Sequence, residues 1–285
     1  MFEKPLQTIE SHEKPHPEFL KVFRFRHGST EYTELNPDIT TDEFDLTEKG
    51  KDEVTAGANS IMKTLDKEKD VIVFVSSPRV RAKGSMKIVR DIFENNGFTI
   101  WKSRDDSRLI KKELRSGDDF NDEGNPIEKD HPDFRSSREK TMNALKDLTE
   151  NKGADLSDIT DISIAWANAK DRVGNLENFD EAGERTKKLI DLAFKVAHTT
   201  QKKTEKQIVI ISFEHAETID PITSAISEGE LSLKKGNSIN KGEPLEMDIS
   251  TTDYSLKVSF PMRDDKKMTK LAYNKENKIF EKYEN

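Results

Sequence analysis

The sequence predicts an α/β fold, a mostly parallel sheet flanked by helices on both faces, with a polar insertion over the active site. Three observations carry this. Strand-like runs alternate with helical patterns from residue 21 to beyond His215, the order that strand–crossover–strand units require. Two of the runs, Val71-Ile72-Val73-Phe74-Val75 and Ile208-Val209-Ile210-Ile211, are continuously apolar, as strands covered on both faces must be. A third, Val22-Phe23-Arg24-Phe25, stops abruptly at Arg26-His27-Gly28, and parallel sheets bind ligands beyond the carboxyl ends of their strands.

Taken in order, residues 1–19 read as a polar, proline-bearing N-terminal extension, 20–263 as the α/β domain and 264–285 as a charged tail. Strands are expected at 21–26, 71–76, 99–101, 162–166 and 207–212. Helices are expected at 47–65, 80–95 and 181–198, with another after His215. Residues 103–161 break the rhythm. They are polar and rich in Asp, Asn, Gly and Pro, with one helical segment near 136–148, and read as an insertion rather than a second domain. Residues 231–233, 245–249 and 254–260 look like a strand and a hairpin at a sheet edge. The Lys/Glu-rich stretch from 264 onward is expected to be a solvated amphipathic helix or a frayed end.

Composition narrows the function classes. Charged residues are 36% of the 285 and hydrophobic ones only 33%, yet the apolar residues cluster into strand-length runs, which separates this chain from disordered ones. A net charge of −8 disfavours non-specific nucleic-acid binding. The absence of cysteine excludes disulfides, thiolate metal sites and thiol nucleophiles. No segment resembles a signal peptide or a membrane span, so the expectation is a soluble, cytoplasmic protein without a membrane partner. A homodimer is left open.

Arg26-His27-Gly28 suggests phosphoryl chemistry on its own terms. Arginine offers a planar fork of donors for phosphate oxygens. A histidine with its tautomer fixed at one ring nitrogen is nucleophilic at the other. Glycine lets the backbone turn sharply or approach a ligand. Three further motifs follow in order: Leu46-Thr47-Glu48-Lys49-Gly50 opening a helix, Ser76-Ser77-Pro78-Arg79-Val80-Arg81-Ala82 after the second strand, and Glu214-His215-Ala216 after the late apolar strand. Together they resemble the histidine phosphatase superfamily, the phosphoglycerate-mutase-like fold, from about residue 22 to 219.

That resemblance implies metal-independent hydrolysis of a small phosphorylated substrate, with no cofactor. His27 would attack phosphorus and carry a phosphohistidine. Arg26, Arg81 and His215 would bind the phosphate. The family also places a general acid in a Leu-x-Glu-x-x-x-Gly type segment. Here Glu113 keeps the Glu-to-Gly117 spacing, with Lys111 where leucine is usual, and is the candidate; Glu177, eight residues before Arg185, competes. Arg79 reads as a solvated neighbour, and Ser76 and Ser77 as phosphate ligands or turn residues. Ser29 and Thr33 depart from the Glu or Gln and the Asn that relatives carry, and Glu214 stands where relatives often have serine and is expected to point away. A mutase-type phosphotransferase is the alternative, with Arg135 and Arg138 as cations for a sugar-acid carboxylate. A catalytically weak phosphate-binding protein is the third reading.

Two patterns are set aside. His12-Glu13-x-x-His16 has zincin spacing, but Pro15 and Pro17 oppose the helix that would bring both imidazoles to one face. Asp119-x-Asn121-x-Glu123-Gly124 with Asp130 echoes a calcium loop but lacks its flanking helices and terminal glutamate. No metal site is assigned. His131 and His198 read as surface or packing residues.

Overall fold

The strand that ends in Arg26-His27-Gly28, β1 (Phe19–Arg26), lies at the middle of a single eight-stranded sheet. The computed structural model describes residues 18–30, 45–101, 172–226, 238–263, 268–274, 276 and 279–282, together with 127, 132–133, 136–137, 139–141, 143–144, 146–147 and 166. After β1 come α1 (Glu48–Met62), β2 (Asp70–Ser76), α2 (Val80–Asn95) and β3 (Thr99–Ile100). The second half contains α3 (Phe179–Gln201), β4 (Gln207–Glu214), α4 (Ala216–Ile226), β5 (Pro244–Ser250), β6 (Leu256–Ser259), β7 (Thr269–Asn274) and β8 (Ile279–Lys282). The sheet order is β3-β2-β4-β1-β5-β6-β7-β8.

The sheet is mixed, which corrects the mostly parallel arrangement expected from sequence. β3, β2, β4 and β1 run parallel, whereas β5 pairs antiparallel with β1 and begins an antiparallel run through β8. Apolar runs report burial, not direction. Direction follows from the connections, and the short links after β5 fit only hairpins. The charged tail is corrected too, because residues 269–274 and 279–282 are strands of this sheet. Among their lysines and glutamates, Leu271 and Phe280 are buried, and the Tyr273 and Phe280 rings lie 5.1 Å apart. Too few apolar side chains mark those strands for a period of two to stand out.

Helices do cover both faces. Phe23, Phe25, Ile72, Phe74, Val209, Ile211 and Phe213 pack on α1 and α2. The alternate positions Val22, Val73, Val75, Ile208 and Ile210 pack on α3 and α4. Helix ends follow local chemistry. Thr47 caps α1 through its side-chain oxygen, which accepts from the Gly50 N–H at 3.0 Å. α3 starts two residues earlier than expected because Asn178 and Glu181 form a capping box. The described residues between 136 and 147 are helical, as the sequence suggested, and Trp166 is helical where a strand was expected. Apart from these and residues 127, 132 and 133, 103–161 lies outside the described residues, as do 1–17 and 231–233.

The chain leaves β1 and enters α1 through a close backbone crossing. Thr47 N–H donates to the Ser29 carbonyl at 3.0 Å. A Cβ on Gly28 would fall 2.2 Å from the Gly50 carbonyl oxygen, and one on Gly50 would fall 2.1 Å from the Ser29 oxygen. This explains both glycines, since no side chain fits between the two backbones. Gly50→Ala is therefore expected to cost about 3 kcal/mol, the upper end of overpacking penalties. Gly97→Ala meets nothing within 4 Å and bears only a left-handed backbone cost of about 1 kcal/mol. Urea midpoints of the two variants check the contrast.

Candidate active site

The carboxyl ends of β1, β2 and β4 are stitched together, and the candidate residues leave from that seam. His27 N–H donates to the Glu214 carbonyl at 3.1 Å, and Ser77 N–H to the Phe213 carbonyl at 2.9 Å. His27, Arg81 and His215 are all buried, and they meet. Arg81 Nε donates to His27 Nε2 at 3.0 Å, and Arg81 Nη2 lies 3.2 Å from His215 Nδ1. The two imidazole centroids are 5.0 Å apart.

These contacts fix both tautomers. His27 Nδ1 sits 2.8 Å from the Gly28 carbonyl oxygen, which can only accept, so Nδ1 carries the proton and Nε2 the lone pair. At His215 the guanidinium can only donate, so Nδ1 accepts. Nε2–H then donates to Ser77 Oγ at 3.1 Å. Electrostatics agrees. Burial, then the charges of Arg81, Arg26 and Lys241, hold His27 well below the usual histidine range. Burial, then Arg81, His27, Arg79 and Arg185, do the same at His215. Two neutral rings thus share one permanent cation.

Arg26 is buried beside this pair, and its Nη1 donates to the Ile239 carbonyl at 2.6 Å. Arg79 caps α2 by its backbone, with its N–H donating to Ser77 Oγ at 3.3 Å, and its charge acts on His215. Ser77 therefore orients a histidine, whereas Ser76 Oγ donates to the Ser77 carbonyl. Glu214 points away, as expected. Its carboxylate lies against Arg24, with Arg24 Nε 2.9 Å from Oε1, and Ser212 Oγ also donates to it. Glu177 is buried in an ion pair with Arg185, and its carbonyl accepts from Trp166 Nε1 at 2.7 Å. Glu113, Thr33, Arg135, Arg138 and His131 lie outside the described residues, as do His12, His16, Asp119, Asn121, Glu123, Gly124 and Asp130. His198 is exposed near the end of α3.

Three contributors were not anticipated. Glu53 on α1 accepts from both the Ser29 N–H, at 2.8 Å, and Ser29 Oγ, at 2.9 Å, holding the turn after His27. Lys241 adds charge near His27. Asp220 on α4 is fully buried, and burial pushes its carboxyl up to about 6 against the opposing charge of Arg26. An aspartate inside the apolar run Thr218-Ile219-Asp220-Pro221-Ile222 was the available signal for the last. Among the described residues, no cluster of three or more His, Asp or Glu could hold a metal ion, and no helix is long and apolar enough to cross a membrane.

No family model and no curated protein matches this sequence. Solved structures do. A mycobacterial glucosyl-3-phosphoglycerate phosphatase aligns at a TM-score of 0.46 and 14% identity, over 85% of this chain and 96% of its own. An α-ribazole phosphatase from Shigella flexneri aligns at 0.43 and 14%, over 81% and 92%. With both scores below 0.5, the chemistry has to be taken from this chain's own side chains.

The two histidines and Asp220 pull stability in opposite directions with pH. Below about pH 6.5 the unfolded chain binds protons on His27 and His215 that the fold refuses, so stability falls toward acid. Between about pH 6 and 4 the fold binds a proton on Asp220 that the unfolded chain does not, which offsets part of that loss. Denaturant titrations across pH 7 to 4.5 are expected to show falling stability in the wild type and a steeper fall below pH 6 in Asp220→Asn.

Proposed function

We propose that this chain is a phosphomonoester hydrolase of the histidine phosphatase type, acting through a phosphohistidine on His27. The observation that carries the reading is the Arg81 bridge between two buried neutral imidazoles. Phosphoryl transfer asks for a positioned nucleophile and cations on the equatorial oxygens, and little else. Arg81 supplies the charge, and His27 Nε2 holds the lone pair that attacks.

In the first step the Nε2–phosphorus bond forms as the ester P–O bond breaks, and the leaving alkoxide takes a proton. Attack requires the Arg81 donors to pass from the imidazoles to phosphate oxygens, which keeps them beside the atom that gains charge. Arg26 would bind a remaining oxygen, and His215 another once its Nε2–H passes from Ser77 Oγ to phosphate. Glu113 is assigned as the acid from its place in the sequence. Glu177 is assigned a supporting role, because Arg185 already engages its carboxylate. Water then attacks phosphorus, releases inorganic phosphate and returns the lone pair to Nε2. The arginines meet the substrate's charge, so hydrolysis is expected to persist in EDTA. The substrate is a small phosphate monoester.

A phosphorylated-metabolite screen tests the assignment. His27→Ala is expected to lower hydrolysis at least 1000-fold, and acid-labile phosphate is expected to appear on the wild-type protein after rapid quench. Equal hydrolysis by both proteins would overturn the nucleophile. The lowered histidine ranges add a pH prediction. An ordinary histidine of pKa about 6.5 is roughly three-quarters protonated at pH 6. Here kcat/KM is expected to lose less than twofold from that source between pH 7.5 and 6.

A further inference from the structure

Arg26 reaches the site only if its guanidinium is held there, and the holding contacts come from a turn rather than from β1. Its Nη1 donates to the Ile239 carbonyl at 2.6 Å, while its Nε is buried and makes no hydrogen bond among the described residues. The backbone wraps the same point, with Arg26 N–H donating to the Glu243 carbonyl at 3.2 Å and Gly242 N–H to the Arg26 carbonyl at 3.0 Å. Residues 238–243 therefore form a collar around the end of β1. Gly242 takes a φ of +71°, and a Cβ there would fall 2.5 Å from the Glu53 carbonyl carbon, so the collar also abuts α1.

The collar in turn hangs on one carboxylate. Asp220 Oδ1 accepts from the Ile239 N–H at 3.2 Å and from Thr223 Oγ1 at 3.0 Å. Ser238 Oγ lies 3.2 and 3.1 Å from the two Asp220 oxygens. Ile239 is thus gripped at both ends of its backbone, by Asp220 at the amide and by Arg26 at the carbonyl. Glu243 and Arg263 close the other side. Arg263 donates to both Glu243 oxygens and to the Ser238 carbonyl, and Glu243 accepts from the Asn240 N–H at 2.8 Å.

We propose that Asp220 is a positioning residue for the phosphate site, fixing the Arg26 guanidinium and the Lys241 amine beside His27 through the 238–243 collar. The inference rests on the phosphatase reading for what Arg26 does, but not for where it is held. A buried carboxylate whose hydrogen-bond donors are all neutral, and whose burial outweighs the opposing charge of Arg26, stabilises a fold poorly. An amide of the same shape at this position would spare the chain that desolvation, so the charge is explained better by what it orients. An ionised acceptor draws N–H and O–H donors more tightly than a neutral one, and the donors here are the collar itself.

The sign of the effect separates positioning from bulk electrostatics. Asp220→Asn removes a negative charge. If nothing moves, the pocket becomes more positive, inorganic phosphate binds more tightly and the His27 pKa drops further. If Asp220 positions the collar, its loosening lets Arg26 and Lys241 drift from His27. Phosphate binding by calorimetry is then expected to weaken at least fivefold, and the His27 imidazole titration followed by NMR to move upward. Arg26→Gln, which leaves the collar's carboxylate in place, is expected to reproduce both shifts. Ser238→Ala, which removes one donor and no charge, is expected to show them in smaller degree and guards against a fold that fails in Asp220→Asn. Tighter phosphate binding, or a downward or unchanged His27 titration, in Asp220→Asn would overturn the proposal. The imidazole titration needs no turnover, so a wild type that hydrolyses no ester sinks the phosphatase reading and leaves this test intact.

Discussion

One guanidinium holds the site together. Arg81 stands between two imidazoles that are both denied a second proton, and the denial has two causes that reinforce each other. Burial penalises any further charge, and a permanent cation at hydrogen-bond distance penalises positive charge most of all. A lysine could supply the charge but not the geometry, because its single nitrogen cannot donate in two fixed directions at once from a planar fork. Everything else near the pocket keeps that arrangement in register. The Gly28 carbonyl selects the His27 tautomer and the Arg81 guanidinium the His215 one, leaving Nε2–H to donate to Ser77 Oγ, while the parallel strand ends set their separation.

The sheet carries a second polar pair, away from the strand ends, on the face that α3 and α4 cover. Arg24 and Glu214 alternate with the aromatic residues of β1 and β4, so their side chains turn toward α3 and α4 and engage each other there. Arg24 and Ser212 engage the Glu214 carboxylate there, so Glu214, one residue before His215, places no negative charge in a pocket suited to anions.

The parallel half of the fold and the meeting of His27, Arg81 and His215 were legible in the sequence because both depend on local signals. Continuous apolar runs mark doubly covered strands, and short motifs at strand ends mark where their side chains emerge. What escaped has a common physical character. Among the described side chains of β7 and β8, Leu271 and Phe280 are the buried ones, so their pattern is diluted by lysines and glutamates. The collar around Arg26 is built from a peptide group, two hydroxyls and a carboxylate brought together from α4 and a distant turn, and no period in the chain announces such an assembly. Glycine identity at 28 and 50 was visible, but its reason was a crossing of two backbones that only the fold reveals.

The pairing of β1 has a bearing on how the protein is made. Its neighbours in the sheet are β4 and β5, so Lys21 lies beside Val209 and Phe19 beside Ser250. The strand that carries the nucleophile emerges from the ribosome first among the core elements. It then waits for about 190 further residues before either edge can be satisfied. At roughly 5–20 residues per second that is on the order of 10–40 seconds with an aromatic-rich strand unpaired. Such non-local pairing slows folding and exposes strand edges while it lasts. Arg24, between Phe23 and Phe25, and Arg26, just after them, give the nascent segment the charge that discourages edge-to-edge association during that interval.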